Sequence, residues 1–524
     1  MTAVQPGPAG SLASLLSAVT GASIAETGNA VTVRVRSAQL ETAVHHLATT
    51  GARLADLFAA GQDPAVLHLV WALDAQRQYI IVQADVEGDE YPPLSDIAPA
   101  AFAEECEIYE QFGIRPATGK PLNRVALPPR AGPDPRGAPG GRPPEPTLPR
   151  LGHRPPQDPA EVHAPHTVGG HAFEFPFGPV RQVGVESLYY GLVTSGEEIV
   201  DLYLFTWHKH RGLEWRLRGR TPRDALFLVE RTEGLSAIAM SWAFTAAVEA
   251  ALGVGPPPAA QRTRAVALEL ERLYNHAAAT AALCQATGLS IGQSAAEIAL
   301  ERLLRLNAAV FGHRYLFGVL EVGGVRRAPD AAELRAQLPA AHAELRRAAD
   351  ALLATNSFLD RLEACGIVTA EQARRLGLVG PVARAAGLSM DTRRDQPTPP
   401  YFQHPPTVAA RASGDVLARF GVMQDEAAES VRLIGDLLDA GAGTGTAAVP
   451  DAGGSGLGWA ESSRGEALAW VALGADGRIS RARLRPASVR NWRGFDDACR
   501  SQNVFTDIPI IEASFWLTVA GTAR

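Results

Sequence analysis

The fold of this chain is decided by residues 259–287, AAQRTRAVALELERLYNHAAATAALCQAT, whose apolar residues follow the period of a long buried helix. Further helical patterns, separated by Gly and Pro, lie at about 223–253, 292–318, 330–364 and 412–439. Strand patterns lie on either side of these helices, at His171–Pro176, Gly191–Phe205, Gly465–Leu473 and Arg478–Leu484. We therefore predict a mainly α-helical bundle domain with β additions at its ends.

A stretch rich in Pro, Gly and Arg, residues 127–167, precedes the bundle. Such a composition buries too little apolar surface to offset the entropy of ordering, so we predict an extended linker. The chain before it is predicted to be an α+β module, and the predicted domains are therefore 1–126 and 168–524. The elements expected in the module are a strand at Val31–Val35, helical spacing over Gln39–Ala60, a hairpin of Val66–Leu73 with Tyr79–Ala84, and a helix from about Ala98 to Phe112.

Composition excludes several classes of function. The 524 residues carry a net charge of −7, so nucleic acid is not an expected partner. The four cysteines are at least 81 residues apart, which excludes a local CxxC motif and predicts buried, inert thiols. No basic segment followed by an apolar core opens the chain, and polar residues interrupt its most apolar stretches, so we expect a cytoplasmic protein without a spanning helix of its own. The cysteines are Cys106, Cys284, Cys365 and Cys499.

Short motifs in both domains resemble known subunits. The stretch 105–114, ECEIYEQFGI, resembles the signature of the 30 kDa subunit of respiratory complex I, and its alternative interpretation is an amphipathic helix with a solvated acidic face. Residues 171–524 resemble the large subunit of formate hydrogenlyase-type (group 4, energy-converting) nickel–iron hydrogenases and the 49 kDa subunit of complex I. The segments that carry this second resemblance are 178–180, 210–214, 269–276, 323–327, 379–387, 391–397 and 461–465.

The resemblance to hydrogenases implies four cysteine ligands for nickel, because soft thiolates suit this metal. At the aligned positions this chain has Glu233 and Ser236 in the first motif and Thr518 and Gly521 in the last. All four ligands are replaced. We therefore predict a hydrogenase-like frame without a nickel–iron site and without another metal bound to the chain.

In complex I, the resemblance implies, the same cavity serves quinone through a His, a Tyr and a carboxylate at the first cysteine position. Glu233 keeps that carboxylate. The His position falls on Arg181 or Gln182 and the Tyr position on Pro222 or Arg223, and none of these repeats the usual donor chemistry. The sequence therefore leaves open whether the cavity is catalytic, and it shows no complete catalytic site in this chain alone.

Glu233 has two interpretations. It could relay protons with a shifted pKa, or it could form a structural ion pair with an arginine such as Arg264 or Arg384, which we favour. The other candidates for the cavity or for a subunit interface are more often members of salt bridges, and their histidines are predicted to be hydrogen-bonded rather than metal-bound. These candidates are Arg181, His210, Arg211, Glu214, Arg231, Glu271, Arg272, His276, Arg384, Asp391 and Arg393.

The glycine-rich stretches 441–445 and 453–458 lack the context of a phosphate-binding loop, so we predict loops and no direct binding of NADH. The resemblance as a whole implies a peripheral-arm core subunit of a membrane-associated oxidoreductase complex, on the cytoplasmic face of the membrane. It would contact a small iron–sulfur subunit that carries the cluster and antiporter-like membrane subunits, and it would shape a cavity for quinone or another acceptor. The alternatives are a non-catalytic assembly scaffold and a true hydrogenase with unusual metal ligation.

Overall fold

Two compact units make up the described part of the chain in the computed structural model, one built mainly from residues 31–118 and 173–211 and the other mainly from residues 212–522. The predicted linker and Gln182 lie outside the described residues, and the predicted domain limits stay predictions. The structure describes residues 23–27, 30–61, 65–118, 122, 173–181, 186–206, 208–500 and 502–524.

The first unit begins with a five-stranded sheet in the order β1-β2-β5-β4-β3. Strand β2 pairs with β5 in parallel, and β4 pairs with β3 and β5 in antiparallel fashion, which confirms the predicted hairpin. Helix α1 packs its apolar side chains into the core under this sheet. The elements are β1 (Ser23–Thr27), β2 (Ala30–Val35), α1 (Leu40–Thr49), β3 (Arg53–Ala60), β4 (Val66–Leu73), β5 (Gln78–Asp85), β6 (Glu90–Tyr91), α2 (Phe102–Phe112) and β7 (Arg115–Pro116).

The helical spacing predicted over Gln39–Ala60 is wrong beyond Thr49. Gly51 takes a left-handed conformation, with φ of +79°, just after the helix ends, and residues 53–60 form β3. All of β3 after Arg53 is buried, because the strand is covered on both faces. An apolar run buried on both faces shows no alternation, so its leucines also match a helical period.

The solvated acidic face considered for α2 is also wrong. Glu104 and Glu105 are at most 1% exposed, and Glu107 and Glu110 are buried as well. The Glu105 carboxylate accepts a hydrogen bond of 2.7 Å from the backbone N–H of Leu94, and burial raises the pKa of Glu105 above its ordinary value. The acidic residues of this helix therefore belong to the interior of the first unit.

A separate antiparallel sheet in the order β10-β9-β8 lies further along the first unit. The stretch Gly191–Phe205, predicted as strand, is interrupted by a turn at Gly196, where φ is +65°. The strands are β8 (Phe173–Phe177), β9 (Tyr189–Ser195) and β10 (Glu198–Phe205).

Helices dominate the second unit, as predicted, and their apolar faces form its main core. Two of the predicted helical segments are divided, and one division, at residues 230–236, leaves Glu233 and Ser236 outside regular helix. The helices are α3 (Leu213–Leu217), α4 (Pro222–Val229), α5 (Ala237–Leu252), α6 (Pro258–Ala286), α7 (Ser290–Phe311), α8 (Ala331–Leu353), α9 (Asn356–Leu362), α10 (Ala370–Leu376), α11 (Gly380–Ala385), α12 (Thr392–Asp395), α13 (Pro399–Gln403), α14 (Val416–Asp439), α15 (Ala487–Cys499), α16 (Ile508–Phe515) and α17 (Val519–Thr522).

Two small sheets complete the second unit. The predicted pair near the end of the chain is confirmed as β15 and β16, and β14 joins it in the antiparallel order β14-β15-β16. None of the helices in the described part of the chain has the length and apolar composition that a bilayer crossing requires. The strands are β11 (Leu320–Glu321), β12 (Gly324–Val325), β13 (Gly445–Thr446), β14 (Gly454–Ser462), β15 (Gly465–Leu473) and β16 (Ile479–Arg485).

The glycine-rich stretch 453–458, predicted to be a loop, is instead mostly strand β14. Its alternate glycines lie against the backbone of α5. A Cβ on Gly454, Gly456 or Gly458 would lie only 2.1–2.3 Å from a carbonyl oxygen of that helix. These glycines therefore allow direct contact between a helix and a strand, which a larger residue would prevent.

We expect Gly458→Ala to lower the free energy of unfolding by about 1–3 kcal/mol, because the new methyl group overlaps the Ala243 carbonyl oxygen at 2.1 Å. The matched control is Gly435→Ala on α14, where a Cβ meets nothing within 4 Å. That change should raise stability by about 0.5–1 kcal/mol, since Gly is unfavourable inside a helix. Chemical denaturation measures both, and equal effects would contradict the close contact.

Candidate functional site

The four positions that the sequence predicts to correspond to nickel ligands, Glu233, Ser236, Thr518 and Gly521, come together in the second unit. The Glu233 carboxylate accepts a hydrogen bond of 2.5 Å from the Thr518 hydroxyl, although 285 residues separate the two. A Cβ on Gly521 would lie 2.6 Å from the same carboxylate oxygen, so the Glu233 side chain occupies the space beside that glycine. The backbone N–H of Ser236 donates to the Glu233 carbonyl. The structure thus brings all four positions into one group, which we call the four-position group.

Arg464, in the turn between β14 and β15, is the cation of this group. Its guanidinium donates to the Ser236 hydroxyl and to the Trp516 carbonyl, and it lies 3.9 Å from the Glu233 carboxylate. The Ser488 hydroxyl donates to that carboxylate at 2.8 Å. The polar side chains at these positions therefore satisfy one another's hydrogen bonds.

The ion pair expected between Glu233 and Arg264 or Arg384 is wrong in its partner. Arg264 makes a two-pronged contact with Glu249, at 2.6 and 2.9 Å, and Arg384 belongs to a different set of ion pairs. Arg464 is the partner of Glu233 instead, because the pairing of β14 with β15 places the turn that contains Arg464 next to Glu233. Arg464 lies in the motif at 461–465, whereas Ser488 lies in none of the recognised motifs.

Most of the four-position group is closed to solvent. Glu233, Ser236 and Arg464 are at most 2% exposed, and Thr518 alone is half-buried. A buried carboxylate without partners would be strongly unfavourable, and here the arginine and two hydroxyls compensate it. The arrangement can hold charge and hydrogen bonds, but its polar atoms are already engaged with one another.

Glu271 on α6 lies near this group and holds the start of α5. Its carboxylate accepts hydrogen bonds from the backbone N–H groups of Ile238 at 2.6 Å and Ala239 at 3.1 Å, which the first turn of a helix leaves without internal partners. Burial outweighs these bonds and raises the pKa of Glu271 to about 8, and the charge of Glu233 adds to the rise. Glu271 is therefore a carboxyl that favours its protonated form near neutral pH.

A second set of charged side chains lies deep in the same unit and contains four of the predicted candidates together with three acidic partners. Its side chains are at most 2% exposed, and they come from α6, α11, α12 with its N-cap, α14 and β14. We call it the ion-pair cluster. Its members are Arg272, Arg384, Arg393, Glu269, Asp391, Glu426 and Glu461.

Two arginines of the ion-pair cluster each bridge two acids. Arg384 contacts Glu426 at 2.7 Å and Glu461 at 2.9 Å. Arg393 contacts Glu269 at 3.0 Å and Asp391 at 2.7 Å. Each contact joins residues from different parts of the fold, except the local one to Asp391, so these arginines connect segments that are distant in sequence.

Helix α6 supplies Arg272, the third arginine of the cluster, and His276, which lies beside it. Arg272 contacts Glu269 at 3.1 Å and donates to the backbone carbonyl of Glu461 at 2.6 Å. The Nε2 atom of His276 lies 3.0 Å from Glu426, and burial lowers the pKa of this histidine below its ordinary value. His276 is therefore an interior hydrogen-bonding residue in this structure.

The carboxyls of the cluster differ in their protonation. Burial alone would raise the pKa of Glu269, but Arg393 and Arg272 outweigh burial and lower it to about 2. In the same way Arg384 outweighs burial at Glu426 and lowers its pKa to about 2. Burial raises the pKa of Glu461 above the ordinary value. Glu461 is thus the member of the cluster that favours its protonated form.

The remaining candidates of the second unit lie elsewhere in it. Glu214 is buried, accepts a hydrogen bond of 2.9 Å from the backbone of Leu484 and pairs with Arg524 at 3.0 Å. Arg231 lies over the ring of Phe227 at 3.7 Å, and 40% of its side chain is exposed. The predicted cavity and interface residues therefore occupy several separate places rather than one site.

Three candidates belong to the first unit. Arg181 donates to the backbone carbonyl of Glu186 at 3.0 Å and lies over the ring of Tyr190. His210 and Arg211 are half-buried at the end of that unit. Their predicted roles at a cavity or an interface stay predictions.

The four cysteines are buried and no disulfide joins them, as the sequence predicted. Burial raises the pKa of Cys284 to about 11 and that of Cys365 to about 12, which is the opposite of the lowered values found in reactive cysteines. Across the ranges that the structure describes, His, Cys, Asp and Glu side chains form no group of three arranged to hold a metal ion.

Comparison with family models matches three parts of the chain. Residues 33–139 match the model of the respiratory-chain NADH dehydrogenase 30 Kd subunit, residues 211–280 that of nickel-dependent hydrogenase, and residues 298–452 that of the respiratory-chain NADH dehydrogenase 49 Kd subunit. The chain therefore contains fused 30 kDa-like and 49 kDa-like complex I domains. The predicted fold class, an α+β module followed by a mainly helical domain, is confirmed.

Curated relatives of this complex I-like chain include components of hydrogenases. It is 29% identical to formate hydrogenlyase subunit 5 of Escherichia coli (strain K12) over 454 residues, which cover 83% of this chain and 77% of the relative. It is 28% identical to hydrogenase-4 component G of the same organism, over 86% of this chain and 79% of the relative. An NADH-quinone oxidoreductase component from Salinispora tropica is 33% identical over 47% of this chain and 65% of the relative.

A solved structure shares the fold. A chain of the membrane-bound sulfane sulfur reductase, described as an archaeal respiratory membrane complex, superposes with a TM-score of 0.63 at 23% identity. The match covers 68% of the complex I-like chain and 100% of the other chain.

The ion-pair cluster provides a test of the packing. We expect Arg384→Met to lower the free energy of unfolding by about 3–5 kcal/mol, because it leaves buried acids without their cation. The control is Arg335→Met, since Arg335 pairs with Asp439 on the surface, where an ion pair contributes only about 0–1 kcal/mol. Denaturation of both variants measures the difference, and similar losses would show that Arg384 is not essential to the core.

Proposed function

We propose that this chain is the peripheral-arm core subunit of a membrane-associated oxidoreductase complex and that it holds no nickel–iron site. Its homology to formate hydrogenlyase subunit 5 and hydrogenase-4 component G supports the type of complex. In this role the chain contacts a small iron–sulfur subunit and antiporter-like membrane subunits on the cytoplasmic face of the membrane. Redox cofactors then reside in partner subunits, and this chain supplies the framework between them.

The observation that carries the proposal is the donor set of the four-position group. It offers one carboxylate, from Glu233, two hydroxyls, from Ser236 and Thr518, and no thiol. Nickel–iron centres need soft thiolate donors, which hydroxyls do not replace. The carboxylate and both hydroxyls also hydrogen-bond to protein partners, so binding a metal would break those bonds. The residues present therefore do not fit a nickel–iron centre.

The closed packing of this group favours the scaffold role over a redox cavity at the same place. An acceptor site needs room for a ligand beside its polar groups. The Glu233 carboxylate instead lies against Gly521 and accepts hydrogen bonds from Thr518 and Ser488. We therefore assign the group a structural role, in which a network of hydrogen bonds replaces the metal as the connection between the 230–236 segment and the end of the chain.

Metal analysis tests the absence of nickel. The complex should be purified through an affinity tag on this chain, from cells grown with added nickel, and analysed for nickel and iron. We expect iron from the clusters of a copurifying iron–sulfur subunit and nickel far below one atom per chain. Stoichiometric nickel would support the hydrogenase with unusual ligation instead, and loss of every membrane subunit would contradict the assembly role.

The second candidate is an acceptor-reducing cavity near Glu233, for quinone or a similar molecule. The hydroxyls around that carboxylate favour it: Ser488 and Thr518 both donate to Glu233, and Thr518 is half-buried. These hydroxyls could carry a proton between solvent and a reduced acceptor. In that case the complex turns over the acceptor and Glu233 supplies or receives the proton.

Glu233→Gln separates the two functions, because the amide keeps an oxygen that accepts hydrogen bonds but cannot carry a proton. If Glu233 has a structural role, we expect the rate at which each assembled complex reduces the acceptor to stay within about twofold of the wild-type rate. A proton-relay role predicts a loss of about 10²–10⁴-fold, the usual contribution of general acid–base catalysis. The yield of assembled complex, measured by size-exclusion chromatography, serves as the control for folding.

A further inference from the structure

The ion-pair cluster contains more acids than arginines. Arg272, Arg384 and Arg393 supply three positive charges, and four carboxyls face them. If all seven groups were ionised, a net negative charge would be buried at places at most 2% exposed. An uncompensated buried charge is strongly unfavourable, and such a group takes up or releases a proton instead. One proton therefore balances the cluster.

Two kinds of group could hold this proton, the His276 imidazole and the four carboxyls. Burial lowers the pKa of His276, so the histidine favours its neutral form. Arginines outweigh burial and hold the pKa of Glu269 and of Glu426 at about 2, so these two stay ionised. Asp391 also has a lowered pKa, since Arg393 outweighs its burial. Glu461 is the remaining carboxyl, and burial raises its pKa, with the charge of Asp391 adding to the rise.

Glu461 pairs with one arginine, whereas each of the other three carboxyls pairs with two. One carboxylate oxygen accepts from Arg384 at 2.9 Å, and the other accepts from the backbone N–H of Thr392 at 3.2 Å. Arg384 is shared with Glu426, at 2.7 Å, and with Asp391, at 3.5 Å. Glu461 thus has only a share of one cation, whereas Glu269 contacts two arginines.

Glu461 also borders a small cavity. Among the other members of the cluster, Arg393 alone lines it. The cavity has a volume of about 10 Å³, close to the space that one water molecule needs. Two of its lining residues, Trp459 and Thr398, are half-buried, so this side of the unit approaches the surface. Glu461 and Thr392 supply polar groups to the lining.

We propose that the ion-pair cluster is a proton-binding site: it holds one exchangeable proton, on Glu461, and that proton enters and leaves through the small cavity beside Trp459. A shift of any arginine in the cluster changes the charge balance and therefore releases or binds a proton. The proposal is independent of whether the chain reduces an acceptor, since it depends on the charges of this unit alone.

Charged and titratable groups surround Glu461 from every element packed against it. The residue opposite Glu461 on β15, Glu466, has its own partner in Arg485, so it does not alter the count. The groups that face Glu461 are Arg272, Glu269 and His276 from α6, Arg384 from α11, Asp391 and Arg393 from α12 and its N-cap, Tyr401 from α13, which lines the same cavity, and Glu426 from α14.

Infrared difference spectroscopy of the full chain tests the site, because a protonated carboxyl has a C=O stretching band that a carboxylate lacks. At neutral pH, Glu461→Gln should remove the intensity of one protonated carboxyl relative to the wild type. The matched control is Glu249→Gln, since Glu249 is buried in a one-to-one pair with Arg264 and should lose carboxylate bands only. Loss of carboxylate bands alone in Glu461→Gln would overturn the proposal.

A second variant tests the charge balance and does not depend on the folding of the first. Glu426→Gln leaves three carboxyls for three arginines, so Glu461 should ionise and the same protonated band should disappear although Glu461 is intact. Persistence of that band in a folded Glu426→Gln protein would show that the count of charges does not hold the proton, and it would overturn the proposal. Circular dichroism establishes that each variant is folded.

The cavity is tested through the rate of exchange. In D₂O the band shifts as the proton on Glu461 is replaced by deuterium. Ala460→Val places extra volume in the lining of the cavity, and Thr398→Val replaces a hydroxyl of the lining with a methyl group that cannot pass on a proton. Each change should therefore slow this shift at least tenfold without removing the band. An unchanged exchange rate in both variants would exclude the cavity as the route.

Discussion

The ion pairs of Arg384 and Arg393 are the interaction on which the second unit depends. Together with Arg272 they connect α6, α11, α12, α14 and β14, segments separated by up to almost two hundred residues of chain. Buried ion pairs seldom add net stability compared with apolar packing, because desolvation opposes the attraction. Their effect is on specificity: each acid left without its arginine is costly, so alternative arrangements of these segments are strongly disfavoured.

Several parts of this structure follow from sequence patterns, since they depend on local periods. The apolar period over 259–287 predicts α6, and the polar turn between two strand-like runs predicts the β4–β5 hairpin. The period of apolar residues predicts the wrong element where a strand is buried on both faces. Residues 53–60 are covered on both faces, so they show no alternation, and their leucines match a helix as well as a strand.

The candidate site shows a similar division. Its members are predictable as residue types, because Glu233, Arg272 and Asp391 lie in recognisable motifs. Their partners are not, since a partner is set by how distant segments pack. Arg464 reaches Glu233 only because β14 pairs with β15, and a sequence pattern does not report that register. Ser488 belongs to no motif, yet its hydroxyl is one of the two that compensate the Glu233 carboxylate.

Strand β14 lies against helix α5 through backbone atoms, at Gly454, Gly456 and Gly458, and this contact has a consequence for Glu233. Side chains between two elements can change rotamer and absorb small shifts, but touching backbones cannot. The position of α5 is therefore set with little tolerance along three successive turns. The 230–236 segment leads directly into this helix, so the placement of the Glu233 carboxylate depends on glycines that do not contact it. Substitutions of these glycines would therefore change the geometry of the four-position group without altering any of its members.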